Sequence, residues 1–449
     1  MRVLVLSLYD LGRPPLEALA LAEQIRRAGQ TDYQVDVVDL AVESWPTDFV
    51  AAADVVVLPV PMHTAARMAV EASARIRSGG SGARIACFGL YAHLAGGGLD
   101  EAVDASFGPQ HVHAVFEWLA LQPTRVSVPF RASDVPFDSS SSSVNVSPDR
   151  YAQLAIGSER RVAGALSASS GCLHRCTHCP VPVAFDGRIT LASVDSVLAS
   201  AQLQIDGGAE HLSFVDPDFL NAPSHGRRVV HALRRAHPTV TFDCTVKVEH
   251  ILRHSEIWPE FAAAGCLFVV SALESVDDEV LRILDKGHTA AQGERAVDVL
   301  RSAGIEIRPS LLPFTPWTTV QGIAELFAFA ERCDLIDSID PVQFSIRLLV
   351  PQGSLLARHA AMLPYRGAYD LAAMTYRWIS AHPGVDALQV RLAAIADDGA
   401  SGGEPPRHTY ARMRAVVAEA LGPDQTILAA SIGYGATEAK PKMTEPWFC

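Results

Sequence analysis

Ser170-Gly171-Cys172-Leu173-His174-Arg175-Cys176-Thr177-His178-Cys179-Pro180 decides how this 449-residue chain is read. The stretch follows an apolar run, residues 163–168, that reads as a strand, so the cysteines fall on a loop at a strand's carboxyl end. Three thiolates within eight residues of one loop can reach three corners of a single cubane iron–sulfur cluster. No fourth ligand lies nearby in sequence, which leaves one iron open to a substrate or cofactor. A structural zinc site closes with four ligands, and His174 or His178 could supply one. The C-x3-C-x2-C spacing is not the usual zinc-knuckle spacing. Free thiols are the third reading.

Outward from this loop, residues 160–355 alternate strands and helices. Strand candidates are 163–168, 211–215, 239–246, 267–272, 306–312 and 343–349. Six βα units are fewer than the eight of a closed barrel, so an open, partial (βα)6 barrel is expected. Upstream, residues 1–132 repeat the alternation with strands at 2–8, 34–40, 54–60 and 84–90 and helices at 16–28 and 64–77. The third of these strands, DVVVLPV, is nearly all apolar, as a parallel strand covered on both faces must be. The βαβαβ order gives an α/β, doubly wound, Rossmann-like domain. Residues 133–159, with serines at 139–143, read as a linker that cannot pack a core. Residues 356–449 read as mainly helical, with a tail rich in proline, lysine and aromatic residues.

Composition bounds the function. Hydrophobic residues are 49% and charged residues 19%, enough for a large core and too few charges for a disordered chain. A net charge of −13 argues against nonspecific nucleic-acid binding through a basic surface. No apolar run approaches the ~18 residues of a membrane span. The apolar N-terminus is short, runs into Asp10 and lacks a cleavage site, so it reads as a buried strand rather than a secretory signal. Of eight cysteines, three are clustered and five scattered. That usage points to metal in a reducing cytoplasm rather than to disulfides, with Cys244, Cys266 and Cys333 as small core residues.

The cysteine loop after the first strand of a βα barrel resembles the radical S-adenosylmethionine (SAM) superfamily, and the resemblance runs through residues 160–355. It implies a [4Fe–4S] cluster on Cys172, Cys176 and Cys179, with SAM bound to the open iron through its amino and carboxylate groups. Reductive cleavage would give methionine and a 5′-deoxyadenosyl radical. An electron donor such as flavodoxin or ferredoxin, and a small-molecule or peptide substrate, are implied with it. One departure is His178, where the family often has an aromatic hydrophobic residue. By position along the barrel, Asp216 and Asp218 match the second-strand end near the SAM amino group, although a literal Gly-Gly-Glu is absent. Lys247 matches a basic residue near the SAM carboxylate, Ser271 and Glu274 the region of the ribose, and residues 309–319 the approach to adenine. Each also has a plainer reading. The aspartates could be turn formers around Pro217, Lys247 a solvated charge, and Glu274 a charge favoured by a helix N-terminus.

A Rossmann-like domain before such a barrel resembles the cobalamin-binding radical SAM group. The loops Pro61-Met62-His63-Thr64 and Phe88-Gly89-Leu90-Tyr91-Ala92-His93 lie at strand carboxyl ends, where ligands of doubly wound folds sit. The resemblance makes Pro61, His63, Gly89 and His93 cobalamin contacts, although the two histidines could equally be packing residues. Gly96–Gly98 could admit a bulky cofactor or be a plain loop. The Asp-x-His-x-x-Gly motif that supplies a lower histidine ligand is absent. Methyl transfer to an unactivated carbon is the reaction this group implies. Methylthiotransferases share the domain order, but their first domain usually carries three cysteines, and residues 1–150 hold only Cys87. The tail Glu445-Pro446-Trp447-Phe448-Cys449 partly resembles radical SAM tails with a cysteine before a Glu-Pro pair. Cys449 is thus a candidate catalytic thiol, or merely the end of a tail docked by its aromatic rings. Two rivals stay open: a radical SAM enzyme without cobalamin, and a noncatalytic iron–sulfur protein.

Overall fold

The computed structural model describes residues 1–29, 33–121, 126–127, 147–422, 428 and 439–445. At its N-terminal end lie strands β1 (Arg2–Ser7), β2 (Gln34–Asp39), β3 (Val55–Pro59), β4 (Arg84–Phe88), β5 (Ala105–Phe107) and β6 (Val126–Ser127), all parallel. Their order is β2-β1-β3-β4-β5-β6. This is the flavodoxin-like doubly wound order, whose switch point lies between β1 and β3, rather than the 3-2-1-4-5-6 order of dinucleotide-binding sheets. Period-2 alternation divides the core. Val3, Val5, Val55 and Val57 meet the helices Leu16–Gly29 and Val112–Leu121, whereas Leu4, Leu6, Val56 and Leu58 meet the helix His63–Ser78.

Of the 133–159 stretch, the described residues begin at 147. Strands β7 (Leu154–Ile156) and β8 (Glu159–Arg161) form an antiparallel hairpin. The chain then enters a parallel sheet with β9 (Ala163–Leu166) and crosses the cysteine loop, where β10 (Ser169–Gly171) pairs antiparallel with β11 (Ile189–Leu191). The sheet continues through β12 (His211–Phe214), β13 (Thr241–Thr245), β14 (Cys266–Glu274) and β15 (Glu306–Leu311), in the order β15-β14-β13-β12-β9. The sixth expected strand, 343–349, contributes one parallel bridge, Phe314 to Arg347. Its first three residues, Gln343–Ser345, lie instead in a 3-10 turn, Pro341–Ser345, which begins with a proline that cannot donate to a ladder. The Gln343 side chain accepts from Leu311 N at 3.0 Å, occupying a donor that a sixth strand would have used.

Downstream, a hairpin of β16 (Arg366–Asp370) and β17 (Thr375–Trp378) reaches back to the first domain, where the Tyr369 hydroxyl donates to Ala95 O. Helices Val385–Ser401 and Pro406–Leu421 follow, packing on the barrel core through Leu388, Tyr410 and Met413. Finally β18 (Lys442–Met443) pairs with β7, completing a three-stranded sheet.

Candidate active site

Gly171 delivers the chain to the first cysteine with φ +85°. A Cβ there would collide with the Arg188 carbonyl and the Phe185 ring, so only glycine fits. Cys172 and Cys176 are buried and Cys179 is half-buried. The loop is pinned at its centre. Thr177 N donates to Leu284 O at 3.0 Å, Thr177 Oγ1 to Ile283 O at 2.9 Å, and Leu356 N to Thr177 O at 2.9 Å. Asn221 braces the start, its Nδ2 lying 3.5 Å from Cys172 Sγ while its Oδ1 accepts from Leu173 N at 3.4 Å. The three thiols do not form a donor set tight enough for one ion. In a cubane each thiolate would bind a different iron. Burial raises the Cys172 thiol and pushes Cys179 up to about 12, so loading a cluster must displace their protons.

Behind the loop is a buried charge cluster. Lys286 Nζ lies 3.1 Å from Glu274 Oε1, and His178 Nε2 lies 3.1 Å from the same oxygen. Glu274 stands at φ +61°, where β14 bulges against β15. Burial works against its charge, but Lys286 and then His178 outweigh it and hold the carboxyl at about 2. Lys286 is also electrostatically coupled to Cys176 and Cys179. Asp216 accepts from Ser169 Oγ at 2.5 Å and Ala168 N at 3.0 Å, which fixes the stem of the loop. Burial pushes its pKa up to about 6.

Asp218 Oδ1 accepts from Leu220 N at 3.1 Å, while Oδ2 faces His250 and His174. Burial opposes the Asp218 charge, yet the two imidazoles lower its pKa. Ser271 Oγ donates to Val246 O at 2.7 Å, and Lys247 Nζ stands 4.0 Å from Glu249 Oε2. The fold thus gathers Asp216, Asp218 and Glu274 about the cysteine loop, each engaged by partners of its own chain. Sequence reasoning missed Lys286, His250 and Asn221. No local spacing flags them, because the fold alone brings them to the loop.

A cavity of about 350 Å³ lies between the two domains. The first domain contributes Arg13, Glu17, Pro61, Phe88 and Leu90 from beside the carboxyl ends of its strands. The barrel contributes Leu166, Ser170, Gly171, Phe185 and Pro217, so the cavity adjoins the stem of the cysteine loop. Burial, reinforced by Asp10, pushes Glu17 up to about 8. Pro61 lines the cavity, whereas His63, Gly89 and His93 do not. The His63 ring is engaged by Ala373 O at 2.9 Å and packs edge-on to Tyr91; Gly89 lies against the Glu17 carboxylate. The glycines at 96 and 98 make room for Gln352 and the Leu371 carbonyl of the same chain. Cys449 lies outside the described residues. Glu445, the last one described, packs against Gly12 and bonds Tyr9, beside cavity residues Asp10 and Arg13.

Residues 166–327 match the radical SAM superfamily, so the chain carries a radical SAM domain. Beyond that domain, the whole fold is similar to that of cobalamin-dependent radical SAM enzymes. The cobalamin-dependent SAM radical enzyme OxsB, solved with aqua-cobalamin bound, superposes with TM-score 0.68 at 13% identity, covering 95% of this chain and 74% of that one. The radical SAM methyltransferase TsrM from Kitasatospora setae, solved with tryptophan substrate and a SAM analog, gives TM-score 0.53 at 18% identity over 74% of this chain and 72% of that one. A curated relative, the ribosomal protein uS12 methylthiotransferase RimO of Bdellovibrio bacteriovorus, is 25% identical over 179 residues, 36% of this chain. The match spans only 39% of that relative's length. Among the described residues, no helix is long and apolar enough to cross a membrane.

Proposed function

We propose that Cys172, Cys176 and Cys179 hold a [4Fe–4S] cluster with SAM at its open iron, that cobalamin docks at the interdomain cavity with only part of its bulk inside it, and that the enzyme transfers a methyl group to an unactivated carbon. The substrate is a small molecule or peptide, and the electron donor a protein of the flavodoxin or ferredoxin type. The observation that carries this reading is the cavity itself. Its largely apolar wall lies at the carboxyl ends of β1, β3 and β4 and opens on Ser170 and Gly171, directly before Cys172. When bound, the cluster supplies the electron that cleaves SAM reductively, and cobalamin supplies a methyl carrier. The chain's own residues do the positioning. Gly171 sets the loop's path, Asp216 clamps its stem, and Lys286, held by Glu274, is a cation whose field reaches Cys176 and Cys179. Glu17 keeps its carboxyl proton near neutral pH and can donate it in a hydrogen bond from the cavity wall. A methylthiotransferase reading is less well supported: Cys87 is buried against Ser106, with its thiol pushed up to about 12.

The test is the cofactor content of the full chain, produced with added cobalamin and reconstituted anaerobically. About four cluster irons and one cobalt per chain are expected, with SAM-derived products released on reduction. Alanine at Cys172, Cys176 or Cys179 should abolish the cluster absorbance and those products. Ala20→Trp, which fills the cavity from the helix Leu16–Gly29, should lose cobalt and keep iron. Iron and SAM cleavage without cobalt would leave a radical SAM enzyme that uses its first domain as scaffold. Iron without SAM cleavage would leave a noncatalytic cluster protein.

A further inference from the structure

Three donors converge beside the cysteine loop from three different elements. His174 lies between the first two cysteines, Asp218 follows β12, and His250 belongs to the helix Val248–Arg253. His250 Nδ1 is 2.8 Å and His174 Nε2 3.5 Å from one oxygen, Asp218 Oδ2, and all three atoms lie within 4.8 Å of one another. The Asp218 side chain is 0% exposed and that of His250 8%. None of the three atoms makes an aligned hydrogen bond. Leaving a buried polar atom unsatisfied is costly, and three such atoms gathered at one point call for a shared partner.

We propose that His174, Asp218 and His250 bind a divalent transition cation of the zinc class, separate from the cysteines. Two imidazoles and a carboxylate suit such an ion, with water at the remaining position. Tetrahedral ligands at about 2.0–2.2 Å from zinc stand roughly 3.4 Å apart, which the two spacings to Asp218 Oδ2, 2.8 and 3.5 Å, bracket. The outer contacts fit as well. Leu220 N orients the carboxylate through Oδ1, and Glu249 Oε2 stands 3.9 Å from His174 Nδ1, an outer negative charge near the site though beyond hydrogen-bond distance. The side chains of His174 and Glu249 are partly exposed, which gives the ion a way in from solvent. Bound there, it ties the cysteine loop to the segments that follow β12 and β13.

The full chain, loaded with its cluster and washed with chelator to strip loose iron, is titrated with Zn²⁺ against a competing chelator dye. One zinc per chain beyond the cluster is expected. His250→Gln and Asp218→Asn should each weaken zinc binding by at least about 100-fold, the upper end of what losing even an outer-sphere partner costs, while cluster iron is unchanged. Co²⁺ in the unsubstituted protein gives an answer that needs no variant. Visible d–d bands without thiolate-to-cobalt charge transfer are expected. Charge transfer, no stoichiometric zinc, or equal affinity in the two variants would overturn the site and leave the triad as a hydrogen-bonding cluster.

Discussion

Glu274 and Lys286 show what a single buried pair does at the residue scale. Their charges are 3.1 Å apart and almost fully buried, so each depends on the other for solvation. Lys286→Met should leave the buried Glu274 carboxylate with His178 as its only close partner among the described residues and cost about 3–5 kcal/mol, read as a lower denaturant midpoint at neutral pH. The pH dependence follows from the sign of the shift. The folded-state pKa is about 2 against an ordinary 4.5, so the folded chain binds fewer protons between those values. The stability this carboxylate contributes is therefore complete above pH 4.5 and is lost as pH falls towards 2. Denaturant midpoints between pH 2.5 and 5 should fall more steeply in the unsubstituted protein than in Glu274→Gln; parallel curves would refute the pairing. The three cysteines stand out in the sequence because their spacing is local, and their role as ligands is the proposal made above. Lys286 could not, since it reaches Glu274 from twelve residues on, across a bulged strand end and a helix.

At the scale of elements, long apolar strands were legible and short ones were not. The sequence marks β1, β3 and β4 because alternate residues face two covered sides. By contrast β5, Ala105–Phe107, is too short to show any period. The β7–β8 hairpin sits in a stretch whose composition reads as linker, and its stabilising partner comes from the far end of the chain. That partner, β18, places Met443 in a small core with Leu154, Phe268 and Val270. Met443→Ala should thus cost about 2–5 kcal/mol, as truncation of a buried methionine does. The loss should appear in thermal unfolding of the whole chain rather than as a local fraying. A midpoint within a degree of the unsubstituted protein would mean that β18 is an ornament of the barrel and not one of its walls.

At the scale of the molecule, the order of the domains is legible and their interface is not. Tyr369 meets Ala95 and Glu445 meets Gly12 across hundreds of residues, with no pattern in either segment to announce it. These contacts place the hairpin β16–β17 on one side of the first domain and the terminal strand on another, beside the cavity that both domains line. The tail is therefore where the candidacy of Cys449 as a catalytic thiol is tested. Glu445, the last described residue of the tail, stands beside cavity residues Asp10 and Arg13. Removing residues 446–449 leaves the pairing of Lys442–Met443 with β7 intact, so the unfolding midpoint should hardly move. Product formation from SAM and substrate should nevertheless fall at least about tenfold, a transition-state loss of about 1.4 kcal/mol. Cys449→Ser should reproduce most of that fall if the sulfur acts chemically. Should Cys449→Ser turn over normally while the truncation does not, Trp447 and Phe448 are packing the tail and the thiol takes no part in turnover.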